Sequence, residues 1–482
     1  MAAEGAGGRA RGVARYPPLS ALVVSAIAAF SAVLVLVVLH SAYDDALSRT
    51  RTLLGHNLEP TPWHPFPHAK GRPPARAALR CAPSVACLPP LSRPRPPPGA
   101  ANTSSTAKRR QCPTYFAAIH RDLAPWRRRG VTRALLDEAR RRASMRVTVT
   151  GGGRRLHVDL YYACVQSRAL LTVWSLLQLM RRYPGRVPDV DLMFDCMDRP
   201  AVNRTEHGAG DPPPPPLFRY CTTRDHFDIP FPDWSFWGWP ETNIEPWMQE
   251  FASIKRGAGA ARWADRVPTA YWKGNPDVAS PLRVALLRCN DTAAWRAEIL
   301  RQNWDDEARS GFQHSRLSAQ CTHRYKVYAE GFAWSVSLKY ILACGSTALL
   351  IEPRYQDFFS RGLEPRVSYW PVSAGVGMCE SIRDAVDWGN ANPAEAERVG
   401  EWGQRLMEDL SMGAVYDYML HLLTEYAGLM DFKPEPPPTA QEACEGSVMC
   451  LADDKQRRFM EASSAEPAVD EPCVMPPPPP EE

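Results

Sequence analysis

Hydrophobic and polar positions divide the chain into segments of different period. Residues 19–39 (LSALVVSAIAAFSAVLVLVVL) carry no charge over 21 positions, long enough for a helix to cross ~30 Å of hydrocarbon. Arg9, Arg11 and Arg15 precede this run, and Asp44 and Asp45 follow it. That bias predicts a cytosolic tail (1–18), a single transmembrane signal anchor (19–42) and a lumenal remainder, the type II orientation. Between residues 60 and 98 thirteen prolines are interleaved with Arg, Ala and Ser, so 43–111 reads as an extended stem that buries no core. Residues 433–482, proline-rich again, read as a disordered tail, and residues 212–216 as a proline-rich surface loop. The folded body is then 112–432.

Within that body the period switches between 2 and 3.6. MRVTVTGGGRRLHVDL reads as a hairpin turning at Gly151, Gly152 and Gly153. Residues 168–182 place Leu170, Leu171, Trp174, Leu177 and Met180 at helical spacing, closed by Pro184 and Gly185. VDLMFDCMD then reads as a buried strand. Downstream, TAYWKGNPDVASPLRVALLRC reads strand, loop, helix, and HRYKVYAEGFAWSVSLKYILACGSTALLIEP reads strand, loop, helix, strand. Strands alternating with helices imply an α/β fold with parallel sheets covered on both faces. Two such units predict Rossmann-like lobes, 112–265 on the acceptor side and 266–432 on the donor side, with a cleft between them.

Composition and charge narrow the class of function. The 482 residues are 45% apolar and 23% charged, ordinary for a globular body. Lys and Arg number 57 against 53 Asp and Glu, a balance of +4, too small for a dedicated nucleic-acid binder. Thirteen cysteines are dispersed with no CxxC pair, which predicts disulfides in an oxidising compartment and, the count being odd, at least one thiol unpaired within the chain. Sequons at Asn102, Asn203 and Asn290 fit the secretory pathway, and a C-terminus without a retrieval tetrapeptide favours the Golgi. Neither a GxSxG elbow nor a GxxxxGK[ST] loop is present.

Ligands of open α/β folds sit where strands run out into loops and helices. One such loop holds Lys273, Gly274 and Asn275, with Ser280 as N-cap, Pro281 as first helical residue of 281–289, and Arg283 in the first turn. The other, EGFAWSVSLKY, puts Gly331 in the turn, Ser335 and Ser337 near a helix start and Lys339 beyond it, with Gly345 as the residue ending that helix. Helix starts with Lys and Arg make a diphosphate cradle; the plainer alternative is two well-capped helices with solvated cations. On the facing lobe, Asp195 and Asp198 end the buried strand, where a carboxylate can take a proton from a hydroxyl nucleophile or merely cap a turn. Asp189 and Asp191 form a DxD, the pattern that holds a divalent metal on a nucleotide sugar, but at the strand's opening end, so no metal ligand is expected. The aromatic run PDWSFWGWPETNIEPW could stack on sugar, although packing at a lobe edge is the commoner use of such residues.

CPTYFAAIHRDLAPW, DVDLMFDCMDRP, PDWSFWGWPETNI, YWKGN, CTHRYKVYAEGFAWSVSLKYILACGS and YQDFFSRGLEPRVSYWPV together resemble the Rumi-type protein O-glucosyltransferase family, glycosyltransferase family 90, and especially its plant branch. The resemblance spans 112 to about 434. It implies a GT-B fold, a UDP-glucose or UDP-xylose donor, inversion at the anomeric carbon and no required metal or other cofactor. It places the catalytic Asp on Asp198, the donor-binding segment on Gly331, Phe332, Ala333, Trp334, Ser335, Val336 and Ser337, and the basic loop on Lys273, Gly274 and Arg283. Animal members carry Arg where Ser337 stands, so Lys339 or Arg283 is expected to neutralise the diphosphate here. Plant relatives commonly show Glu and Asp where Leu338 and Gly345 occur. The resemblance implies a protein or polysaccharide acceptor. Two rival readings are a non-catalytic lumenal carbohydrate-binding protein and a metal-dependent transferase using Asp189 and Asp191.

Overall fold

The computed structural model describes residues 110–208 and 212–478. The expected cytosolic tail, membrane anchor, nearly all of the stem and the Asn102 sequon lie outside the described residues. Among the described residues no helix is long and apolar enough to cross a membrane.

The hairpin forms as β1 (Met145–Thr150) and β2 (Arg155–Leu160). Gly151, Gly152 and Gly153 take φ of 70°, 69° and 72°, left-handed values that glycine adopts without a Cβ clash. At Gly153 a Cβ would lie 2.3 Å from the Val187 carbonyl oxygen. β3 (Val190–Phe194) runs antiparallel to β1, while β4 (Phe218–Arg219) and β5 (Ile229–Pro230) follow parallel to it. This first sheet is therefore mixed: the three-glycine turn makes β1 and β2 the antiparallel pair read as a hairpin, and β3 is antiparallel to β1 as well, so the parallel pairing expected from alternating strands and helices begins only after β3.

The second sheet meets the expectation. β6 (Val267–Gly274), β7 (Ala297–Arg301), β8 (His323–Tyr328), β9 (Thr347–Ile351) and β10 (Trp370–Val372) are all parallel, in the order β10-β9-β8-β6-β7. Its crossovers carry helices Pro281–Leu286 and Ser337–Ala343. Ser280 caps the first, its Oγ accepting the Arg283 N–H at 3.3 Å, and Gly345 follows the second with φ 63°.

Two boundaries differ from the sequence reading. Helix Met412–Ala427 packs against helix Arg168–Arg182 and β3, so the chain returns to the first sheet well before residue 432. Its Val415, Tyr418, Met419, Leu422 and Leu423 are buried and need that second apolar surface. The region after 433 is not a disordered tail. β11 (Gln441–Ala443) adds to β2 antiparallel, and helices Glu445–Leu451 and Asp454–Ala462 follow, the latter with a reciprocal Asp453–Gln456 capping box. Val448, Phe459 and Met460 are fully buried, and Cys473 is joined to Cys112. Residues 214–216 of the proline run are buried as well, with the Pro214 carbonyl accepting the Trp126 indole N–H at 2.8 Å.

Disulfides also join Cys164–Cys196, Cys289–Cys379 and Cys321–Cys344. Cys444 and Cys450 are disulfide-bonded too, and Cys221 is the free thiol among the described residues.

Candidate active site

One wall of the site begins where β3 ends. Asp195 is fully buried and accepts from the Tyr162 hydroxyl and the Arg219 guanidinium, which also lies 3.3 Å from Asp228. It is a core ion pair, away from the cleft. Asp198, three residues on, keeps a side chain that is 28% exposed and receives the Arg168 guanidinium, Nη1 to Oδ1 2.5 Å. Arg168 opens helix Arg168–Arg182 and also reaches the Cys196 carbonyl at 3.3 Å. Its guanidinium lies 4.2 Å from the Trp234 ring centre, and the Cys164–Cys196 disulfide ties the approach to the helix onto the strand end. The buried Cys221 thiol donates to the Asp198 carbonyl at 3.2 Å. Asp198 is thus held from both backbone and side chain.

The facing wall comes from the ends of β6 and β8. Arg283 donates from Nε and Nη2 to the Ala329 carbonyl (3.2 and 3.1 Å), from Nη1 to the Asn275 carbonyl (3.0 Å) and from Nη2 to Ser335 Oγ (3.1 Å). It passes close under Gly331, where a Cβ would stand 3.4 Å from Nη2. Ser280 Oγ donates to the Glu330 carbonyl at 2.9 Å. The Ser335 N–H donates to the Tyr328 hydroxyl at 3.0 Å, and the Ser335 and Ser337 hydroxyls lie 2.9 Å apart. The walls meet at Arg199, whose guanidinium lies 3.9 Å from the Phe332 ring centre while Nε donates to the Phe332 carbonyl at 3.1 Å.

Between the walls lies a cavity of about 250 Å³ that brings together Asp198, Lys273, Gly274, Arg283, Gly331, Phe332, Trp334, Ser335, Val336 and Ser337. Three of the residues expected to bind the donor are not part of its lining. Ser280 and Ala333 are buried beneath the turns they shape. Lys339 is 1% exposed and points toward the 233–236 turn, with Nζ 2.6 Å from Ser235 Oγ and 3.6 Å from Asp233 Oδ2. It cannot face a diphosphate in the cavity, because its helix turns that side inward. Lys273 does line the cavity, but its ammonium is held by Glu307 Oε1 at 3.1 Å and the His314 carbonyl at 2.5 Å. Its charge is already compensated. The Asp189–Asp191 pair lies elsewhere: Asp189 accepts the Gly152 and Gly153 N–H groups, and Asp191 binds Arg146 through two bonds of 2.8 and 2.6 Å. Among the described residues, a cluster with metal-ligand spacing is Cys112, His421 and Cys473, whose two thiols are consumed by their disulfide.

The glycosyl transferase family 90 sequence model matches residues 107–482, which includes every element of both walls. The chain belongs to glycosyl transferase family 90. Similar proteins include human "Protein O-glucosyltransferase 1", 25% identical over 337 residues, covering 67% of this chain and 81% of the relative. "O-glucosyltransferase rumi" of Drosophila melanogaster is 25% identical over 345 residues, covering 69% and 81%. The Aedes aegypti rumi homolog is 27% identical over 260 residues, covering 51% and 63%.

In this family 90 chain the cavity also contains residues that sequence reasoning passed over. Arg168 carries no motif, and its partner is 30 positions away. Trp304 and Phe312 come from the polar segment between β7 and β8; Trp304 stands 5.5 Å from Trp239 and 6.1 Å from Phe312, ring centre to ring centre, so aromatic side chains from both walls close one side. The aromatic run divides its labour: Trp234 and Trp239 line the cavity, while Phe236, Trp237 and Trp247 are core. Lys326 lines it too; the signal available was the strand alternation in HRYKVY, which puts Lys326 on the face of Tyr328.

Proposed function

We propose that the chain transfers glucose or xylose from a UDP-sugar to a hydroxyl of a protein or glycan acceptor, with inversion, across a GT-B-like cleft. The observation that carries this reading is the single cavity with Asp198 held by Arg168 on one side and Arg283 with the 331–337 turn on the other. Asp198 Oδ2 accepts no hydrogen bond from the described residues, so it is available to take the acceptor's hydroxyl proton. The freed oxygen attacks C1 as the bond from C1 to the diphosphate oxygen breaks, and UDP leaves with the electron pair. Attack from the face opposite UDP inverts the anomeric centre. Arg283, with four of its five N–H groups engaged in shaping the turn, is a preorganised positive charge for the leaving diphosphate. The wall of Trp239, Trp304 and Phe312 keeps water from the bond being broken.

Glucose as the donor sugar, and a protein acceptor, are favoured by the printed names of the relatives, protein O-glucosyltransferases. The disulfides favour an oxidising lumen; with the apolar run at 19–39 they support a single-pass type II protein of the Golgi or another endomembrane. The test is a UDP-release screen of the purified protein against several UDP-sugars, with and without EDTA. Release with UDP-glucose or UDP-xylose that EDTA leaves intact is expected. Binding of sugars without any UDP release would support the carbohydrate-binding alternative instead, and loss of activity in EDTA a metal-dependent mechanism.

A further inference from the structure

The cavity's positive charges are not equally compensated. Arg168 is paired with Asp198, and Lys273 with Glu307. Arg283 and Lys326 have no carboxylate partner among the described residues, and Arg283 is largely committed to holding its turn. Lys326 is 4% exposed, and the hydrogen bond from its Nζ goes to the Gln320 carbonyl at 2.7 Å. An ammonium has three N–H groups, so two are unengaged. Nζ stands 5.3 Å from the ring centre of Tyr271, its register partner on β6. Two residues further along the same face of β8, the Tyr328 hydroxyl receives the Ser335 N–H at 3.0 Å. Lys326 therefore lies below the turn that carries Ser335 and Ser337, inside the same cavity.

An ion in such a place without a counter-ion is costly. We propose that Lys326 is a donor-binding residue whose missing partner is the anionic diphosphate of the UDP-sugar. The inference rests on the donor-site reading above and adds a second cation to Arg283, in the role expected of Lys339. The groups around Lys326 do not supply the charge themselves. The turn before β6 brings Arg266, and Asp265 there is bonded to Arg262. β6 brings Tyr271 and the compensated Lys273. On β8, His323 is held by Glu298 at 3.1 Å; helix Ser337–Ala343 brings Tyr340 and Lys339, the latter facing Asp233. Burial, with Arg266 adding to it, lowers the Lys326 ammonium to about 7. Near neutrality the empty site is thus only partly protonated, and arrival of a dianion draws in the missing proton.

The experiment is calorimetric titration of wild-type protein and Lys326→Met with UDP-glucose, UDP-xylose and uridine. Each titration is repeated at pH 7 in phosphate and in Tris, whose ionisation heats differ. The diphosphate of a UDP-sugar has no titration of its own near pH 7, so buffer-dependent heat reports protons moved by the protein. Expected are uptake of about half a proton per UDP-sugar by the wild type, absence of that uptake in Lys326→Met, and about 10- to 100-fold weaker UDP-sugar binding by the variant. Uridine affinity should stay within about twofold. Wild-type binding of a UDP-sugar without proton uptake, or an equal loss of uridine affinity in the variant, overturns the Lys326 assignment while leaving the donor site in place. Failure of every UDP-sugar to bind the wild type removes the donor-site reading itself. Should Lys326→Met not fold, Lys326→Gln carries the same comparison.

Discussion

Replacing Arg168 by Gln separates orientation of the base from binding of the donor. The bond it removes is a charge-assisted one of 2.5 Å to Asp198 Oδ1, between side chains 11% and 28% exposed. Bonds of this kind are worth about 1.5–3 kcal/mol. Because Asp198 is partly open to solvent, about 2 kcal/mol is the appropriate share, or about 30-fold in rate. The guanidinium's stacking on Trp234 at 4.2 Å contributes about 1 kcal/mol to stability, so the variant should also melt a few degrees lower. Under saturating donor and acceptor, kcat measured by UDP release should fall about 30-fold, with calorimetric UDP affinity within about twofold of wild type. Arg168→Lys, which keeps the charge and loses the planar fork, should fall between the two. A kcat for Arg168→Gln within about threefold of wild type would refute the positioning argument. So would a loss of UDP affinity that accounts for the whole defect.

Two further consequences concern stability. Burial raises the Glu330 carboxyl to about 7 despite the N–H groups of Arg354 and Tyr355 that it accepts at 2.9 Å. Such a group stabilises the fold fully below its unfolded value of 4.5, and that contribution is lost as pH rises through about 7, amounting to about 3 kcal/mol. Glu330→Gln keeps the acceptor without the charge, so its Tm should match wild type near pH 5 and exceed it near pH 8.5; parallel melting curves would contradict this. Deletion of 434–482 removes β11, two helices and the partner of Cys112. Uncovering the sites of Val448, Phe459 and Met460, each worth about 1.5–3 kcal/mol, approaches the whole stability of a typical domain, about 5–15 kcal/mol. The truncated protein should not accumulate in folded form, and a soluble product with wild-type Tm would show that the segment is dispensable.

The parts of the fold that were legible in the sequence are those set by neighbours in the chain. The Gly151–Gly153 hairpin, the Ser280 cap and the left-handed Gly345 all follow from local backbone chemistry, and each is where the pattern puts it. Three strands of the second sheet, β6, β8 and β9, were legible for the same reason, since each adjoins its own loop and helix start or end, whereas β7 and β10 were not read from the pattern. Proline content misled for 433–482, because apolar residues there, few but well spaced, find a long-range surface; Phe459 packs so closely on Gly238 that a Cβ would stand 2.3 Å from its ring. In the site, strand pattern alone leaves Asp195 and Asp198 equivalent and only the family resemblance chose Asp198; the distant Arg219, Tyr162 and Arg168 are what make one a core ion pair and the other a cavity carboxylate. Lys339 read as a helix-start cation, yet the residue it contacts is 104 positions away. Lys326 sits inside a strand, where a lysine gives no motif; the alternation in HRYKVY puts it on the face of Tyr328, but its burial is seen only in the folded chain.

The proposed transfer depends above all on Asp198 as the proton acceptor across from the donor wall. Sugar transfer by Asp198→Asn, assayed beside UDP affinity on the same preparation, tests it. Transfer should fall by about 10²- to 10⁴-fold while UDP binds within about twofold of wild type; turnover near the wild-type rate would contradict the claim.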